Sequence, residues 1–477
     1  MPASKFGKNI VLLIAANIII KPFYILGIES EVQNMVGPEA YGLYFGLFNF
    51  CFLFTILLDA GIQNYNSKWV AENRDNILDQ VSQTIWLKFF LGILFLIIVL
   101  VMGLLIGYPL SYYNWLPGIV IFFFLSSFYV YLKSHFPALG KYSWESFFSI
   151  FDKILLIIFV GYQIYILKRI SVESFIFTLI GTYILTNICV LMLLKKVVRF
   201  NVLPKLSIFK NLLKSSFAFA LVSLFTSMLN RMDGVMLERL LDDNGYSAGV
   251  YAACFRLLDA SNMFAFLFAS LLVPMFASLI SQKESILPLL KESGLIMFCL
   301  CISLISTLYF QAEDILHWLY LDANDLYINT FKVLYPGFLS MGLGFVFGSL
   351  LIANGKLKAL NILLLLLIGL NFGLNYWIIP LHESVGAAGV TLLSQALLII
   401  GEMSIVYHFF RPKWNFMIII KMLVFLILSL ILGFTIQKLS LNWILEIVFC
   451  GLILSILSFL LGLIRLNTLI GQKENEV

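Results

Sequence analysis

The sequence predicts an all-α polytopic membrane protein of about fourteen spanning helices, built as two six-helix lobes in parallel-repeat topology plus two C-terminal helices. Three observations predict it. First, the 477 residues are 61% hydrophobic and only 12% charged, with a mean hydropathy of +0.98, whereas soluble domains carry about a quarter charged residues. Second, apolar windows of about 20 residues, each long enough to cross a bilayer core, recur along the chain. Third, Lys and Arg alternate by loop. Roughly 20 fall on the N-terminal side, against about four opposite, namely Lys168, Arg169, Arg239 and Lys438. This asymmetry places both termini in the cytoplasm. The net charge of +5 is thereby a topological signal and does not point to nucleic acid.

The elements follow in order. The first span runs from Asn9 to Ile28 and is interrupted at Lys21-Pro22, where proline removes a backbone donor. Lys21 either snorkels to an interface or carries charge into the bundle. A loop with Glu29, Glu31 and Glu39 follows, then a span over 40–60, then a polar surface stretch, Gln63 to Gln83. Spans three to six are expected at 85–107, 115–133, 147–167 and 173–194. Lys88, Asp152 and Lys153 lie near their predicted inner ends and are expected to snorkel. The basic segment 195–214 reads as a cytoplasmic linker against anionic headgroups. The second lobe, 215–410, follows the first, 1–194. Residues 411–477 supply the last two spans and a polar tail. The six cysteines all fall in apolar runs without metal-ligand spacing and read as small buried hydrophobes, and no cofactor or metal is expected.

Two short strings recur six helices apart. Ala138-Leu139-Gly140-Lys141 ends the fourth span, and Ala353-Asn354-Gly355-Lys356 ends the tenth. Gly42-Leu43-Tyr44 opens the second, and Gly249-Val250-Tyr251 the eighth. An even offset keeps two copies parallel, with a central site expected at mid-depth between them. The seventh and eighth spans carry Arg231, Asp233, Arg256 and Asp259 deep inside apolar runs. Ionised groups there cost at least about 2.5–3.5 kcal/mol, so they should avoid lipid. Arg256 and Asp259 share a face, whereas Arg231 and Asp233 point apart, and either of the latter could serve a cavity. The four could equally form an Arg–Asp network between helices. With Lys21, cations exceed anions at that depth, and guanidinium forks suit phosphate oxygens. Asn371 and Asn375 share one face of span eleven, and Gln395 and Glu402 one face of span twelve. They could bind sugar hydroxyls or bond helix to helix. Glu402 is also a candidate coupling site for a proton or cation.

The run Arg231-Met232-Asp233-Gly234-Val235-Met236-Leu237, with Gly249-Val250-Tyr251-Ala252-Ala253 and Arg256-Leu257, resembles the second half of bacterial polysaccharide flippases. These belong to the multidrug/oligosaccharidyl-lipid/polysaccharide exporter superfamily. The hairpin from Asn371 through Ile379-Pro380 to Gly386-Ala387-Ala388-Gly389-Val390-Thr391 and Ser394 is similar too, as are Lys21-Pro22, Val36-Gly37 and Tyr41-Gly42. The resemblance implies an inner-membrane flippase moving a polyprenyl-diphosphate-linked oligosaccharide to the outer leaflet for O-antigen or capsule assembly. Its partners would be membrane lipids, a polysaccharide polymerase and glycosyltransferases. In lipid II flippases, a related group, cationic residues on helices 1, 2 and 8 serve the substrate. Lys21 and Arg256 occupy comparable helices here, while the second span holds neither Lys nor Arg.

Two other classes compete. An organic-cation antiporter of the same fold would want a net anionic interior. A membrane glycan polymerase would want a long outer loop or an intramembrane His/Asp pair, but His135, His317, His382 and His408 all lie near helix ends. No catalytic residue is therefore expected.

Overall fold

The computed structural model describes residues 17, 19–59, 62, 77–195, 206–412, 416–439 and 442–464. Among these, ten helices are long and apolar enough to cross a membrane. The chain divides into two compact units, Met1–Gly249 and Val250–Val477.

In the first unit the N-terminal helix does not stop near Ile28. Helical backbone continues past Lys21-Pro22 into one π-helical turn, Tyr24–Glu29, and on through α1, Ser30–Val36. The wider turn absorbs the proline's missing donor without ending the helix. The expected acidic loop is thus helical at Glu29 and Glu31, and the chain reverses only at Gly37, at φ +86°. Next come α2 (Pro38–Leu53), α3 (Ile77–Ile106), α4 (Leu116–Lys133), α5 (Tyr142–Gly161), α6 (Val172–Leu194) and α7 (Leu206–Leu240). The polar stretch 63–76, the segment 196–205 and the tail lie outside the described residues. α4 packs on α6 and α3, α5 on α6, and α7 on α2.

The contact of α2 with the link between α7 and the next helix depends on missing side chains. A Cβ at Gly42 would strike the Gly245 carbonyl and lie 2.5 Å from the Gly249 nitrogen, and one at Gly249 would strike the Pro38 carbonyl. Gln33 donates to the Gly249 carbonyl at 3.0 Å. The repeated glycines that open the second and eighth spans therefore pack against each other.

The other repeated string has the same geometry twice. Leu139 and Asn354 both sit at φ −86°, ψ 2°, followed by Gly140 at φ +73° and Gly355 at φ +69°. Leu139 N donates to His135 O, and Asn354 N to Leu350 O, at 2.9 Å in each case. Lys141 N reaches Phe136 O, and Lys356 N reaches Leu351 O. These are paired helix ends closed by left-handed glycine.

The second unit holds α8 (Tyr246–Ser281, its first turn counted in the first unit), α9 (Leu287–Phe310) and α10 (Gly337–Ala353). Short helices Ala312–Leu319 and Asp325–Leu334 lie between α9 and α10, the latter capped by Asn324. The long run Leu357–Phe410 is two helices, α11 (357–382) and α12 (384–410), folded at Glu383. α13 (Phe416–Gln437) and α14 (Trp443–Leu460) pack on α9 around Phe298, Ile302, Phe425 and Leu454.

Replacing Gly42 by Ala overpacks the α2 contact and should cost on the order of 1–3 kcal/mol. Gly181, with nothing within 4 Å of an added Cβ, should tolerate Ala. Thermal unfolding of both variants in detergent checks the contrast.

Candidate functional site

Two lysine environments inside the first unit differ in one respect, whether the ammonium is satisfied. Lys88 on α3 is 2% exposed and fully bonded. Its Nζ donates to Asp59 Oδ1 at 2.6 Å, Leu58 O at 2.8 Å and Ser127 Oγ at 3.3 Å. Three donors meet three acceptors, and the Tyr131 ring lies 5.5 Å away. Lys88 does not snorkel, which corrects the sequence expectation. The reason is that Asp59, 29 residues earlier, provides a counter-charge inside the unit.

The second environment is open. Asn17 Nδ2 donates to Ser149 Oγ at 3.0 Å, which docks the N-terminal helix on α5. This brings half-buried Lys21 within electrostatic reach of Lys133, Lys153 and Asp152. Lys133 ends α4, where a cation complements the helix dipole, and it in turn feels Asp152, Glu145 and Lys153. Asp152 is buried and accepts from Tyr183 on α6 at 2.8 Å. Lys153 lies 3.7 Å from Asp152 and 4.6 Å from the centroid of the Tyr24 ring. Three ammoniums thus face two carboxylates. Among the described residues neither Lys21 nor Lys133 makes a hydrogen bond or salt bridge, and Lys133 only overlies the Tyr129 ring at 5.8 Å. At an effective dielectric near 20, a unit negative charge 4 Å from an ammonium gains about 4 kcal/mol. The arrangement leaves one positive charge in excess among these five side chains.

Sequence reasoning found Lys21 but missed its companions. It started the fifth span at Phe147, which put Asp152 and Lys153 near an end. The helix begins at Tyr142, so both lie in its middle. Lys133 had no signal beyond its position beside Ser134.

The other expected residues fall in both units. Arg231 is in the first unit, half-buried, its guanidinium 5.2 Å from the Phe52 centroid, and Asp233 is fully buried. Arg256 is in the second unit, 5% exposed, and donates to Tyr320 OH at 3.2 Å. Tyr320 OH donates to Ala253 O. Asp259, on the same helix, is half-buried. Asn375 Nδ2 donates to Asn371 Oδ1 at 3.0 Å, and Asn371 Nδ2 to Ser394 Oγ at 3.2 Å, a buried ladder joining α11 to α12. Gln395 and Glu402 on α12 are also buried. Among the described residues no group of three His, Cys, Asp or Glu side chains could hold a metal.

This fold is shared with membrane transporters. The lipid II flippase MurJ in an inward closed conformation superposes with a TM-score of 0.73 at 16% identity, over 94% of this chain and 98% of that one. An inward-facing multidrug resistance MATE family transporter of the MOP superfamily gives 0.66 at 16%, over 83% and 97%. A MOP superfamily transporter from Pyrococcus furiosus, described by the reversed polarity of its binding pocket, gives 0.54 at 13%, over 84% and 93%. None of the curated proteins matches the chain by sequence. The fold is that of the MurJ and MATE structures, with helices long and apolar enough for a multi-pass membrane protein. Within that class, a polysaccharide biosynthesis protein model matches residues 6–280, and the chain belongs to that family.

The Lys88–Asp59 pair predicts an asymmetry. Asp59→Ala strands a lysine that is 2% exposed and should cost about 3–5 kcal/mol. Lys88→Met strands a carboxylate that is 33% exposed, which water can reach, and should cost less. Equal unfolding midpoints for the two variants would contradict this.

Proposed function

We propose that this chain flips a polyprenyl-diphosphate-linked oligosaccharide from the inner to the outer leaflet of a bacterial inner membrane, for surface polysaccharide such as O-antigen or capsule, by alternating access of its lobes. One observation carries the reading: Lys21 and Lys133, with Lys153 near them, lie inside the first unit, and among the described residues Lys21 and Lys133 have no acceptors for their protons. A diphosphate supplies compact negative charge and several oxygens, and ammonium groups bind phosphate as point charges. Family membership supports the saccharide part of the reading. The prenyl chain stays in lipid, where its burial costs nothing.

Arg231 adds a further cation in the same unit. Arg256, Asn371 and Asn375 bond second-unit segments together in the state seen here, and their polar groups, with those of Asp259 and Gln395, become available to sugar hydroxyls when those helices part. An organic-cation substrate fits less well, since like charge at the site repels it.

The test is complementation of a strain deleted for the gene. Wild-type chain should restore surface glycan, and a variant with Lys21, Lys133 and Lys153 all changed to Gln should lose most of it while inserting normally in the membrane. Full glycan output from the triple variant would overturn the proposal.

A further inference from the structure

A carboxyl group inside the second unit has no counter-charge among the described residues. Glu402 on α12 is 5% exposed, and its Oε2 has no hydrogen-bond partner among the described residues. It points into a notch made by two glycines four apart on α10. A Cβ at Gly344 would lie 3.4 Å from Oε2, and one at Gly348 would lie 3.2 Å from Oε1. An added Cβ at Gly348 would press on the carboxyl, and one at Gly344 would just touch it.

No neighbouring helix offers it a cation. α10 carries no ionisable side chain, and α8, which passes α10 at Asn262–Met341 and Phe266–Phe345, is uncharged from Ala260 to Ser281. Lys358 and His382 on α11, His408 on α12, and Lys291 and Glu292 on α9 are all exposed. The remaining ionisable groups on α9 are the buried thiols Cys299 and Cys301 and the half-buried Tyr309.

An ionised carboxylate left alone in such a place costs several kcal/mol and neutralises instead. A metal cation would need several oxygen ligands, and glycine Cα atoms supply none. A proton needs only the carboxyl itself.

We infer that Glu402 is a proton-binding site of the exporter, holding a proton while α10 and α12 are packed and releasing it to water when they separate. This rests on the transport reading above. It gives the cycle a coupling ion, with the proton entering as H⁺ from water and leaving as H⁺ to water on the other side.

The test uses the full chain in lipid nanodiscs. Infrared spectra at neutral pH should show a protonated-carboxyl band in wild type that is missing in Glu402→Gln. Gln is a neutral near-isostere of the acid, so the variant should melt like wild type, and Glu402→Asp should restore a carboxyl band. In cells, Glu402→Gln should cut surface glycan severalfold and remove the dependence of the residual output on a protonophore. No difference between the two spectra, or wild-type glycan output from Glu402→Gln, would overturn the inference. The two readings fail separately. If the triple lysine variant also keeps full output, the transport reading has failed. If only that variant loses output, the proton site alone has failed.

Discussion

A charge carried into a membrane protein must find a partner in the protein or receive one from outside. This constraint sorts the lysines of the first unit. Lys88 has three acceptors and a carboxylate, so it holds α3 to the segment before it and offers nothing to a solute. Lys21 and Lys133 have carboxylate neighbours, and Lys133 overlies the Tyr129 ring, but among the described residues neither has an acceptor in contact. Asp152 offsets only part of their charge, because Lys153 lies beside it and shares it. Three ammoniums against Asp152 and Glu145 leave an excess of positive charge in the cluster.

The same economy of contact governs the backbone. Gly42, Gly245 and Gly249 let α2 meet the α7–α8 link at backbone distance, and Gln33 seals the contact with a bond to the Gly249 carbonyl. The turns at Gly140, after the short helix His135–Ala138 that follows α4, and at Gly355, after α10, have matching geometry. Two copies of one helical plan account for both facts, with left-handed glycines where helices must stop and bare glycines where helices must touch.

Much of this was legible in the residues. Hydropathy placed the spans, because length and apolarity alone decide whether a helix can cross a bilayer. The Ala-x-Gly-Lys strings revealed the repeat, because the left-handed turn tolerates few other residues. The spacing of Asn371 and Asn375 placed them on one face, and they do bond each other there. What was not legible depended on partners distant in sequence. Nothing near Lys88 announces Asp59, and nothing near Lys133 announces Lys21. The proline at 22 suggested a break, yet a π turn carried the helix through to Val36, because the local cost of the missing donor was absorbed by widening one turn.

The account turns on whether the open lysines hold a diphosphate. Native mass spectrometry of the intact chain with undecaprenyl diphosphate, comparing wild type with the Lys21→Gln/Lys133→Gln double variant, addresses this directly. The account predicts a lipid-bound species in wild type that is strongly depleted in the double variant and weaker for undecaprenyl monophosphate. Equal occupancy in both proteins would contradict it.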